Sequence, residues 1–283
     1  MNGVLRHLAI WLFVGQLGFV PLVALAEQPS AGDADRERMK AEARAEDLKE
    51  VLAELKLAGD FLAEQQSLYF EAVLAYDVVQ VNDQKLEFGG NRKITLRRPD
   101  RVKVEAESRE GKKATLFFDG KSISIDLPDE NAYVSVEAPG SVEAAFDYLA
   151  DDLGVPTPLA DLLSDNFYLD IADRIVTGFI VGESKVGNFD CVHVAFSTED
   201  IDVQMWIEDS DRPLPHRILI AFREARGEPQ FRTQLSNWNL KPKTPDSLFV
   251  FVPPEGAERI PIAAAIAEVA EAAEDARSSQ EDN

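Results

Sequence analysis

The chain has 283 residues, 45% of them hydrophobic, so it can bury a sizeable core. Its formal charge of −22 repels phosphate backbones and anionic membrane surfaces, which excludes nucleic acid as an expected partner. Cys191 is the only cysteine, so no internal disulfide can form and stability must come from packing.

Residues 1–26 read as a secretory signal peptide. Arg6 and His7 give a basic start, Leu8 to Leu25 an apolar run, and Ala24-Leu25-Ala26 a small-x-small cleavage site. Cleavage leaves an exported protein with no stable membrane span, since no later stretch is long and apolar enough. In an oxidising compartment the single Cys191 is expected to be buried.

Residues 27–36 are polar and small and are expected to form a flexible lead. A helix follows, because Leu48, Val51, Leu52, Leu55, Ala58 and Leu62 recur at three- and four-residue spacing and draw one apolar stripe. From about Leu68 the period drops to two. Leu68, Phe70, Ala72, Leu74, Tyr76 and Val78 point one way. Ile94 and Leu96, Val102 to Ala106, Ile123 to Leu127, Ile201 to Ile207 and Ile218 to Phe222 repeat the pattern. Each run has one apolar and one wet face, as antiparallel strands do. Asn82-Asp83, Glu110-Gly111, Asp119-Gly120 and Gly187-Asn188 lie between runs and suit tight hairpins.

One helical interruption is expected. Ser141 caps a helix through Val142, Ala145, Phe146 and Leu149 to Leu153, and Gly154 stops it. Pro156 and Pro158 force an extended link, and Leu159 to Leu163 form a further helical turn. The Ala- and Glu-rich residues 261–283 read as an acidic tail, a short helix or disorder outside the core.

The fold class that results is mainly β with added helix (α+β). It is a curved antiparallel half-barrel sheet of about ten strands, with two or three helices on its concave side, occupying residues 37–260. So little helix cannot blanket so wide an apolar face, and the uncovered part becomes a cavity unless bulky side chains fill it.

Several stretches together resemble the periplasmic lipoprotein carriers LolA and LolB. They are Arg97-Arg98-Pro99-Asp100-Arg101, Phe118-Asp119-Gly120-Lys121 with Pro128 and Tyr133, and Phe249 to Ala257. Pro158 to Leu163, Cys191 to His193, Trp206-Ile207 and Pro213 to Pro215 resemble a family of predicted periplasmic proteins, a domain of unknown function, with the same LolA-like fold. The resemblance covers about residues 40–260. It implies a half-barrel with helices at its mouth and an apolar interior; in the carriers that interior receives the acyl chains of lipoproteins.

The expected function is a non-enzymatic periplasmic binding or carrier protein for an apolar ligand, a lipid or an acylated protein. The candidate lining is Phe70, Leu96, Val104, Ile125, Phe146, Leu149, Val203, Met205 and Ile220. The alternative is an interaction or scaffold protein with a filled core, acting through its acidic surface.

Trp206 and Trp238 fall on wet faces by strand parity and are candidate partner contacts. Cys191 and His193 share a strand face, but two residues are too few for a zinc site. A hydrolase using His193 or His216 lacks a nucleophile motif. No catalytic residue, metal or cofactor is expected.

Overall fold

The computed structural model describes residues 31–138, 140–153, 157 and 159–262, with side chains from residue 38. The expected signal peptide, the start of the lead, Gly154, the Pro156–Pro158 link (but for Thr157) and the tail beyond residue 262 lie outside the described residues.

The chain opens with α1 (Ala31–Ala63), which takes in residues 31–36 that were expected in the flexible lead. That segment, Ala31 to Arg36, lacks an apolar stripe, yet Ala31, Ala34 and Arg36 favour helix and Asp33 and Asp35 suit its first turn. Val51, Leu55, Ala58 and Leu62 are fully buried at helical spacing, while Met39 and Leu57 stay exposed.

Two meanders follow, both antiparallel. The first is β1 (Ser67–Val79), β2 (Lys85–Arg97), β3 (Arg101–Ser108), β4 (Lys113–Phe118), β5 (Ser122–Leu127) and β6 (Ala132–Glu137). The second is β7 (Thr177–Val186), β8 (Phe189–Ser197), β9 (Ile201–Glu208), β10 (Pro215–Phe222) and β11 (Gln230–Asn239). A short β12 (Glu258–Arg259) pairs parallel to β6. The sheet order is β12-β6-β5-β4-β3-β2-β1-β11-β10-β9-β8-β7, twelve strands where about ten were expected. The extra count includes β12, whose two residues are too short to show a period. The sheet is open, with β12 and β7 at its edges, and is not a closed barrel.

This order has one consequence for the site. The first meander walks outward from the central β1, and the second returns to it through β11. Between them the chain must pass from one side of the sheet to the other. It does so through α2 (Val142–Asp147), a π-helical turn (Tyr148–Asp152), a 3-10 turn (Asp161–Leu163) and α3 (Phe167–Ala172). Ser141 caps α2 as expected, its Oγ accepting from the Ala144 N–H at 3.2 Å.

Register puts the apolar side chains on one face. Phe70 stands opposite Ile94, Ile94 opposite Val104, Val104 opposite Leu116, Leu116 opposite Ile125 and Ile125 opposite Val134. On the other side of β1, Leu74 stands opposite Thr233, and Ile218, Met205 and Val194 follow Thr233 in register on the same face. The expected turn residues Asp83, Gly111, Gly120 and Gly187 have positive φ. In the middle of β2, a Cβ on Gly90 would lie 2.2 Å from the Glu107 carbonyl oxygen, so only glycine permits β3 to approach this closely.

Candidate functional site

The crossover and α1 supply the cover for this apolar face. Phe146 and Leu149 from the crossover pack into the same cluster as Phe70, Leu96, Val203, Met205 and Ile220, all buried. Val104 and Ile125 join it only partly buried, as do Leu116 and Val136 beside them. The nine candidate lining residues are thus brought together on one side of the sheet. Over β3–β6 the cover is uneven: Val102, Phe118, Ile123 and Val134 are buried, while Val104, Leu116 and Ile125 stay partly exposed.

Arg98 holds the crossover down. Its side chain is nearly buried and donates Nη1 to the Leu163 carbonyl at 2.7 Å, Nε to Gln65 at 3.2 Å and Nη2 to Leu62 at 3.4 Å. It also pairs with Asp165. The Val142 N–H donates to the Pro99 carbonyl at 2.9 Å, so the Arg98-Pro99 turn grips α1, α2 and the 3-10 turn together. One guanidinium with five donors suits this junction.

Between α2 and the 3-10 turn lies a void of about 20 Å³, the size of one water, lined in part by Phe146, Leu163, Glu143 and Asp161. Its rim is acidic. Loss of hydration, then the Asp170 charge, pushes the Asp161 carboxyl up to about 8; Arg174 opposes this and Asp147 adds to it. Burial first, with neighbouring acids, also raises Glu143. Asp170 is raised by desolvation, with the Ser164 hydroxyl opposing.

A larger pocket, about 250 Å³, sits on the opposite face of β4–β6. Phe117, Ser124 and Ser135 there are in cross-strand register. The chain segment from Phe249 to Pro253 crosses over them. Strand periodicity reveals only that this face is polar; the segment that makes it a pocket has no period of its own.

Trp238 does not stay on the wet face. The β1–β11 register shifts between Tyr69 and Glu71, and Asn237 takes a positive φ of 54°. This bulge turns the indole inward, where it stacks on Phe70 at 4.4 Å and donates Nε1 to the Pro215 carbonyl at 3.2 Å. Trp206 keeps its expected face, partly buried between His193 (4.0 Å, nearly parallel) and the Arg217 guanidinium (5.3 Å).

Cys191 and His193 do share a face, opposite Glu208 and Trp206 respectively. The thiol is buried, and desolvation pushes its pKa up. His193 Nε2 meets Gln204 Oε1 at 3.1 Å. His216 is buried against Phe189 at 3.9 Å, with Nε2 3.0 Å from Glu208 Oε2. These contacts engage both histidines in packing. Among the described residues no group of three His, Cys, Asp or Glu side chains is placed to hold a metal.

These features define a one-sheet β protein whose helical crossover lies on a continuous apolar face. The chain belongs to the family described as predicted periplasmic protein (DUF2092), whose model matches residues 53–263. That is the compartment implied by the family resemblance. No curated protein matches the chain. It is similar to the lipoprotein LppX of Mycobacterium tuberculosis, at 13% identity and TM-score 0.45, covering 69% of this chain and 98% of that one. LprF of Mycobacterium bovis is similar at 13% identity and TM-score 0.43, covering 70% and 96%. A LolA superfamily protein of Nitrosomonas europaea follows at 9% identity and TM-score 0.35, again covering 70% and 96%. No helix among the described residues is long and apolar enough to cross a membrane.

Proposed function

We propose that the protein is a non-enzymatic periplasmic binding or carrier protein whose ligand is apolar, a lipid or an acylated protein, taken up between sheet and crossover. The observation behind this reading is the uneven cover. The row Val104–Leu116–Ile125 continues Phe70 and Ile94 and stays partly open, although Val134 at its far end and the neighbouring row Leu96–Val102–Phe118–Ile123 are buried.

The driving force is burial. Each acyl CH₂ removed from water contributes about 0.8 kcal/mol. The space must open to act, because a void of about 20 Å³ holds no acyl tail. The crossover is the element suited to move, since α2 and α3 have six residues each and helices this short depend on what they pack against. The ligand would then take the place of Phe146 and Leu149 against Leu96, Val104 and Ile125.

The tight packing of the rest of the face favours the second reading, an interaction or scaffold protein with a filled core and an acidic working surface. Native mass spectrometry of the protein gently released from periplasm, with titration of a fluorescent fatty acid, separates them. The carrier predicts a lipid adduct or saturable uptake that Leu149→Glu abolishes. Lipid-free protein that takes up no probe leaves the scaffold reading.

A further inference from the structure

We infer that the pocket on the sheet face away from the helices is a second binding site, built for one neutral sugar ring. It is independent of the apolar site, since its strand residues point to the other side of β4–β6.

The pocket is preformed. Phe249 is fully buried, with the Arg97 guanidinium 5.3 Å over its ring. Arg97 also donates to the Thr244 carbonyl at 2.6 Å and pairs with Asp246. Further on, Glu258 N donates to Asn131 O and Ile260 N to Tyr133 O, both at 2.9 Å. The segment between is therefore pinned at both ends. It sets Phe251 between Phe117 and Tyr133, at 5.5 and 5.3 Å.

The lining chooses the ligand. Aromatic rings offer faces for the apolar C–H side of a sugar, and Ser122, Ser124 and Ser135 supply hydroxyls. Asp119 spends one oxygen on its own turn, accepting from Lys121 N, Ser122 N and Ser122 Oγ. Its second oxygen is bonded to none of the described residues. Arg259 gives one of its five donors to the Ser135 carbonyl at 2.7 Å. Asp119 offsets Arg259, Glu105 pairs with the Lys103 ammonium that lies 5.5 Å over Phe117, and Asp246 pairs with Arg97, so the charges around the site balance and favour neither a phosphate nor a cation. An acyl chain would strand these polar groups, at the cost of their lost hydration. An extended peptide would need the β6 edge where β12 sits. The volume, about 250 Å³, falls below the ~300–1,000 Å³ of sites for drug-sized molecules, which suits a single ring.

Saturation-transfer NMR of the full protein with glucose and with N-acetylglucosamine tests this, with glycerol as the control polyol. The expected result is transfer to ring protons of at least one sugar and none to glycerol. Arg259→Gln, at an exposed position, and Phe251→Ala should each weaken binding by about tenfold or more. Should Phe251→Ala fail to fold, Arg259→Gln decides alone. No transfer to either sugar, equal transfer to glycerol, or binding unchanged in Arg259→Gln overturns the inference.

Discussion

Asp161 is the residue whose protonation matters most to the fold. It is only partly exposed at the rim of the helix-side void, and its carboxyl is pushed up from 3.8 to about 8. Between those values the folded chain holds a proton that the unfolded chain has released. Stability therefore falls as pH rises through this window and is level above it. Glu143 and Asp170 shift in the same direction. Asp161→Asn should flatten the profile. At alkaline pH it should stabilise the protein by about 1–3 kcal/mol after allowance for solvent screening. Chemical denaturation across the pH range checks it; an unchanged slope shows the carboxyl to be hydrated in solution. Nothing in the sequence marks Asp161 among 51 acids, because its shift comes from burial and then from charges on α2, on α3 and in the turn after α3. The inward turn of Trp238 is hidden in the sequence for a related reason. Parity holds along a regular strand, and the bulge at Asn237 carries no apolar signal of its own. Val203 and Met205 were legible because β9 is regular from end to end.

At the scale of elements, Arg98 links three pieces that lie far apart in the chain. Arg98→Ala would leave the carbonyls of Leu62, Gln65 and Leu163 without this donor, at a cost of about 2–4 kcal/mol. Ser141→Ala removes one capping bond and should cost about 1 kcal/mol. Urea midpoints of the two variants should fall in that ratio, and equal effects would mean that the cap, not the guanidinium, anchors the crossover. The hairpins were legible because positive-φ turns demand particular residues, as Asp83 and Gly120 show. The start of α1 was not, because residues 31–36 are helix without an apolar stripe. The Arg98-Pro99 stretch was visible as a family resemblance, but its physical task appears only when the crossover is seen lying on it.

For the whole molecule, sheet order separates what is rigid from what can move. β1 pairs with β2 along thirteen residues and with β11 on its other side, so opening the centre requires global unfolding. The crossover has short helices and one main anchor. Native-state hydrogen exchange should therefore be slowest in β1, β2 and β11 and markedly faster in the amides of α2 and α3, through local opening. If that opening admits the ligand, Arg98→Ala will make it more frequent. Uptake of a fluorescent fatty acid should then quicken by about tenfold per 1.4 kcal/mol of lost anchoring, even as global stability falls. Faster crossover exchange with unchanged uptake would separate the two motions and locate ligand entry elsewhere. Exchange as slow in the crossover as in the central strands would mean that the apolar face stays closed, leaving the acidic exterior as the working surface.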